Sequence, residues 1–124
     1  MIEIINLTKK FGDFTVLEDL SLEFPETGIY ALLAPNGAGK TTLMKVITTL
    51  LKPTEGQVLY NGKDIYKLGG EYRELIGYMP QELGYYANYS PTAFLKYIAA
   101  LKGVPANIAK KRITDLLQML SLYD

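Results

Sequence analysis

Apolar and polar positions alternate in short runs through the first half of the chain and recur at helical spacing in the second. Ile2, Ile4 and Leu7 mark a first strand, and Leu20, Leu22 and Phe24 alternate in a second that Pro25 ends. Thr27-Gly28 turns the chain into a short apolar run, Ile29 to Leu33, which reads as a buried strand. Leu43, Met44, Ile47, Leu50 and Leu51 then follow a helical pattern, ending near Lys52-Pro53. Gly56 to Tyr60 predicts another strand, with Asn61-Gly62 as a tight turn. A short helix is expected over Glu71 to Leu75, a strand over Ile76 to Met79 stopped by Pro80, and a loop from Gln81 to Tyr89.

The last third is helical. Ser90 can cap a helix with Pro91 at its first position and Phe94, Leu95, Ile98 and Leu101 on one face. Gly103 and Pro105 break it. A second helix from about Ala106 carries Ile108, Ile113, Leu116, Leu117 and Leu120 on its apolar side, with Lys110, Lys111 and Arg112 toward solvent. Two antiparallel strands followed by a buried strand predict a small sheet attached to the edge of an α/β core.

Composition narrows the chemistry. The 124 residues suffice for one domain with a modest core. Thirteen basic and thirteen acidic residues cancel, so no general pull toward nucleic acid or an anionic membrane follows. The basic triplet Lys110 to Arg112 reads as a solvated helix face, since no aromatic or glycine-rich platform accompanies it. With neither Cys nor His in the chain, disulfides, thiol chemistry, the usual zinc ligands and imidazole acid-base catalysis are excluded. No apolar run approaches the ~20 residues of a membrane span, and Met1-Ile2-Glu3-Ile4 does not open like a signal peptide. A cytosolic location is expected, with any membrane reached through a partner.

The richest chemistry lies between Ile29 and Thr42. The predicted strand runs into Asn36-Gly37-Ala38-Gly39-Lys40-Thr41-Thr42, directly before the helical pattern. Strand, glycine turn and helix start come in the order of a phosphate-binding loop. Gly37 and Gly39 allow backbone N–H groups to close around phosphate oxygens, and the positive end of the helix points at the same spot. Lys40 is expected to reach the β and γ phosphates and the Thr41 hydroxyl to coordinate Mg²⁺, which makes a nucleoside triphosphate the expected ligand. The alternative is a glycine-rich turn between a buried strand and a buried helix. Ala34 stands where the pattern GxxxxGK has its first glycine. If that position needs a glycine-only conformation, Ala costs about 1 kcal/mol or more; if it need only be small, Ala is tolerated.

With these motifs in order, the chain resembles the nucleotide-binding domain of ABC transporters from Ile2 to about Tyr123. Asn6-Leu7-Thr8-Lys9-Lys10-Phe11-Gly12 is similar to the family's opening segment, whose aromatic residue stacks on adenine; Phe11 holds that place, and Val16 would line the other side of the base. Ala34 to Thr42, APNGAGKTT, is similar to the family's Walker A segment, usually GPNGAGKTT. Gly77-Tyr78-Met79-Pro80-Gln81-Glu82 looks like its Q-loop, so that Gln81 would contact Mg²⁺ and the attacking water and link nucleotide state to a membrane subunit. Tyr85, Tyr86 and Tyr89 crowd the loop where such a domain meets a transmembrane partner, and suit an interface anchor or partial burial against the next helix equally.

The resemblance implies an α/β fold: a P-loop nucleotide hydrolase core with an antiparallel β subdomain and the start of a helical subdomain, truncated. Residues 1–89 would hold the β subdomain, core and Q-loop, and residues 90–124 the start of the helical subdomain. ATP and Mg²⁺ are the implied cofactors, with Asn36, Gly37, Ala38, Gly39, Lys40, Thr41 and Thr42 cradling the nucleotide, and Thr41 and Gln81 at the metal. The implied partners are a transmembrane permease subunit and a second nucleotide-binding domain, with no nucleic acid, at the inner face of the cell membrane. The family's LSGGQ signature, its acidic strand end and its switch His do not occur in these residues. Glu18-Asp19 is the one acidic pair after an apolar run, and it reads as a solvated strand pair. Negligible ATPase activity is therefore expected of these residues alone, along with uncovered apolar surface and self-association. A non-catalytic nucleotide-binding module and a soluble, non-transport cassette protein are the alternatives.

Overall fold

The computed structural model describes residues 1–25, 27–82, 84 and 86–122. The chain divides into two compact units, Met1–Tyr78 and Met79–Asp124.

The first unit is built on an antiparallel sheet. Strand β1, Ile2–Phe11, turns at Gly12-Asp13 into β2, Phe14–Phe24, which begins well before the alternation at Leu20. Strands β3, Glu55–Tyr60, and β4, Lys63–Asp64, add to the other side through the Asn61-Gly62 turn, giving the order β2-β1-β3-β4. Ile2, Ile4 and Val58 project from paired positions, so the alternation read in the sequence becomes one apolar face. Register shifts fall between Ile4 and Leu7 on the β2 side and between Ile5 and Thr8 on the β3 side. Asn6 (φ 46°) and Asp19 (φ 44°) sit at this level in left-handed conformations. The Asn6 side-chain amide donates to Asp19 Oδ1 at 2.7 Å, and Asp19 N donates to Thr8 Oγ1 at 3.1 Å, so polar side chains satisfy the backbone where the ladder is interrupted. Glu18 and Asp19 are exposed in β2, as read from sequence.

Helix α1, Lys40–Ile47, packs its buried Leu43 and Val46 on the sheet face with Ile4, Leu7, Leu17 and Val58. It stops earlier than the Leu50-Leu51 pattern predicts. Thr48 Oγ1 donates back to Met44 O at 2.8 Å, and Thr49 turns to φ 65°, so the chain leaves the helix while Leu51 still packs on the core. The short α2, Ile65–Leu68, capped by the Asp64 carboxylate on Tyr66 N at 2.8 Å, and α3, Gly70–Leu75, close this core with Ile65 and Tyr72. Both tyrosines of this region point at the end of α1: Tyr72 donates to Ile47 O at 2.8 Å, and Tyr66 donates to Val46 O at 2.9 Å and also to Leu51 O.

The two strands predicted at Ile29 to Leu33 and Ile76 to Met79 are absent from the sheet. A strand exists only where a neighbour supplies its hydrogen bonds, and the paired neighbours among the described residues are the four antiparallel strands. Ile29 and Leu33 are consequently almost fully exposed, at 103% and 89%.

In the second unit, α4, Pro91–Leu101, starts at the Ser90 cap, whose Oγ accepts from Ala93 N at 3.2 Å. It pairs with α5, Ala106–Met119. Ala109, Ile113 and Leu117 form the buried stripe against Leu95, Ala99 and Val104. Spacing by four selects Ala109 and leaves Ile108, Leu116 and Leu120 outside. Lys110, Lys111 and Arg112 are exposed, as expected.

Candidate functional site

The glycine loop of the first unit precedes α1 directly. Gly37 (φ 83°) and Gly39 (φ 87°) are both left-handed, a conformation in which an L side chain crowds the following carbonyl. A Cβ on Gly37 would meet nothing within 4 Å, so the loop is open on that side. A Cβ on Gly39 would lie 2.8 Å from Leu17 Cδ2 and 3.1 Å from both Val16 Cγ1 and Val16 O. The loop is thus pressed onto β2 at Gly39 and free at Gly37. Ala38 N donates to Pro35 O at 3.2 Å, closing a turn over Asn36 and Gly37.

Gly39 is also the N-cap of α1, with no side-chain cap on the helix and no acidic residue in its first turn. The first N–H groups of a helix lack intrahelical acceptors, and here no carboxylate competes for them. Lys40, the first helical residue, folds its Nζ back onto Ala34 O. Ala34 itself avoids the left-handed region, so the backbone there carries no glycine-only penalty. Thr41 is exposed on the first turn and Thr42 half-buried. Such a loop, followed by a helix start without a side-chain cap, is suited to an anion, with the Lys40 ammonium close by.

Phe11 and Val16 sit on either side of the β1–β2 turn. Val16 packs against the core and faces Gly39. Phe11 pairs with Phe14 across the hairpin and is 47% exposed, with Lys9 Nζ 5.1 Å from its ring centroid. Phe11, Val16 and the Asn36 to Thr42 loop therefore all belong to one unit. Gln81 belongs to the other, on an exposed bend. Tyr86, Tyr89 and Tyr97 form an aromatic cluster in that second unit, with centroids 5.3 to 6.3 Å apart. Tyr97, on α4, shares the face of Phe94 and Leu101, but helical spacing alone does not tie it to the loop tyrosines; the hydrogen bond with Tyr86 raises its hydroxyl pKa. Tyr85 lies outside the described residues. The sequence reading also missed Ala34 O as the partner of Lys40 and the tyrosines behind α1.

No group of three or more His, Cys, Asp or Glu side chains among the described residues is arranged to hold a metal ion. A hard cation at this loop would rely on Thr41 and on the oxygens of its own ligand.

A loop of this conformation, opening a helix packed on a sheet, defines a phosphate-loop module of the α/β class. The family model described as "ABC transporter" matches residues 17–124, and the chain belongs to that family. It is 34% identical over 122 residues to the probable multidrug ABC transporter ATP-binding protein YbhF of Escherichia coli, covering 98% of this chain and 21% of that protein. It is 36% identical over 125 residues to the uncharacterized ABC transporter ATP-binding protein YhaQ of Bacillus subtilis, covering 100% of this chain and 41% of that protein. The chain thus spans well under half the length of either curated relative. Among solved structures, a putative ABC transporter ATP-binding protein from Pyrococcus furiosus matches with a TM-score of 0.80 at 35% identity, covering 99% of this chain and 58% of that one. The fold is that of part of an ABC ATPase cassette, as the sequence led one to expect.

Proposed function

We propose that this chain binds ATP as part of the ATP-binding subunit of an ABC transporter. One observation carries the proposal: Gly37 and Gly39 are left-handed immediately before an uncapped helix whose first residue is Lys40. Lys40 would exchange Ala34 O for the β and γ phosphates, and N–H groups of the loop and of the first helical turn, Gly39 to Thr42, would take the remaining oxygens. The openness of the loop at Gly37 and the lack of an acidic residue in the first turn suit such an anion. Mg²⁺ would neutralise phosphate charge, with Thr41 as its ligand. Phe11 and Val16 would receive the base.

Within the family reading, residues 1–89 supply the nucleotide-cradling half of a cassette and residues 90–124 begin its helical subdomain. The partners would be a second cassette and a transmembrane permease subunit, through which the protein would reach the inner face of the cell membrane. No described helix is long and apolar enough to cross a membrane. The 124 residues contain no His and no LSGGQ segment, so hydrolysis by them alone is expected to be negligible. Calorimetric titration with Mg-ATP tests the reading. Lys40→Ala removes a charge-assisted contact and should weaken binding roughly ten- to hundredfold; unchanged affinity would refute it.

A further inference from the structure

Phe11 has a companion on its own strand. Lys9 projects from the same side of β1, two residues earlier, and its ammonium lies 5.1 Å from the Phe11 ring centroid. The ammonium is also anchored: Lys9 Nζ donates to Lys52 O at 2.8 Å. The acceptor is itself fastened to β1, because Thr54 N donates to Thr8 O at 2.8 Å and Lys10 N donates to Thr54 Oγ1 at 2.9 Å. Strand, ammonium and ring therefore form a braced unit, and Phe11 remains 47% exposed, enough to offer a ring face to a ligand.

We propose that Lys9 is a positioning residue for the nucleotide base: held by Lys52 O, it fixes the Phe11 ring by a cation–π contact and leaves the opposite face ready for stacking. The inference rests on the nucleotide-binding reading given above. A free phenylalanine at a strand end loses rotamer freedom when a base stacks on it; a ring already held has less to lose. The ammonium also withdraws electron density from the covered face, which favours an electron-rich base on the other.

The test compares ATP with inorganic tripolyphosphate, which carries the phosphates and no base, in competition against a fluorescent nucleotide on the full chain. An exposed cation–π contact of about 0.5–1 kcal/mol corresponds to a two- to fivefold effect. Lys9→Met should weaken ATP about two- to fivefold and leave tripolyphosphate unchanged. Lys9→Arg, which keeps the cation and the donor to Lys52 O, should restore ATP affinity. In a Phe11→Ala background, Lys9→Met should add nothing. Equal weakening of both ligands would overturn the proposal, since Lys9 would then act by charge on the phosphates or through the fold. Unchanged or tighter ATP binding would overturn it too, marking the ammonium as idle or as an obstacle to the base. If the parent chain bound neither ligand, the nucleotide reading itself would fall; Lys40-dependent ATP binding that ignores Lys9 would remove only this inference.

Discussion

Gly37 and Gly39 share a backbone conformation and differ in what surrounds them, so replacing each by Ala separates two costs. At Gly37 the new Cβ meets nothing, and the only penalty is holding Ala near φ 83°, roughly 1–2 kcal/mol. At Gly39 the same penalty applies at φ 87°, and the Cβ also presses on Leu17 Cδ2 at 2.8 Å and on Val16 Cγ1 and O at 3.1 Å. Leu17 is buried in the main core cluster and Val16 packs against it, so neither can yield without disturbing that core. Overpacking of this kind adds roughly 1–3 kcal/mol, for a total of roughly 2–5 kcal/mol at Gly39 when the two ranges are combined. Urea unfolding followed by far-UV circular dichroism would measure both variants. Gly39→Ala should show the lower midpoint by a margin that corresponds to at least about 1 kcal/mol, with unchanged slope. Equal midpoints would refute the claim that Gly39 is where the loop is wedged against β2.

Tyr72→Phe should cost about 1–3 kcal/mol in the same assay, because it strips the donor from Ile47 O in a fully buried site; a loss below 0.5 kcal/mol, in roughly the range of a surface change, would mean water replaces the hydroxyl. Burial, with the Asp64 carboxylate and then Tyr72 adding to it, pushes the Tyr66 hydroxyl up to about 12 from 10.0. A pKa raised on folding gives stability that is complete below the unfolded value, so stability should fall as pH rises from 10.0 toward about 12, and Tyr66→Phe should flatten that part of the profile in pH-dependent urea melts. Ile29→Lys with Leu33→Lys should reduce self-association in analytical ultracentrifugation, since these side chains are the most exposed large apolar groups of the loop's lead-in; an unchanged association state would place the sticky surface elsewhere.

Local signals were read well. The hairpin turn at Asn61-Gly62, the Ser90 cap with Pro91, and the start of α5 at Ala106 lie where the residues placed them, because each depends on neighbours a few positions away. The glycine loop was legible for the same reason. What failed was non-local. Ile29 to Leu33 has the composition of a buried strand, but composition carries no hydrogen-bond partner, and none of the four strands pairs with it. The anchoring of Lys9 beside Phe11 is also non-local, since its acceptor, Lys52 O, lies 43 positions away. Tyr66 and Tyr72 were likewise invisible as partners of α1, because a hydroxyl's target is set by packing and not by spacing.

Those two tyrosines give α1 unequal ends. At its tail the carbonyls of Val46 and Ile47, and of Leu51 just beyond, accept from hydroxyls of α2 and α3; at its head Gly39 lies close against Val16 and Leu17, and Lys40 Nζ reaches back to Ala34 O. An eight-residue helix is a stiff rod of about 12 Å. Seated on the sheet through Leu43 and Val46 and tied at its tail to Tyr66 and Tyr72, it joins the glycine loop to the Ile65 to Leu75 segment through one short, rigid element. Removing one hydroxyl would leave the other tyrosine and the buried contacts of Leu43 and Val46 to hold that joint, so the cradle and the segment behind it are linked twice over.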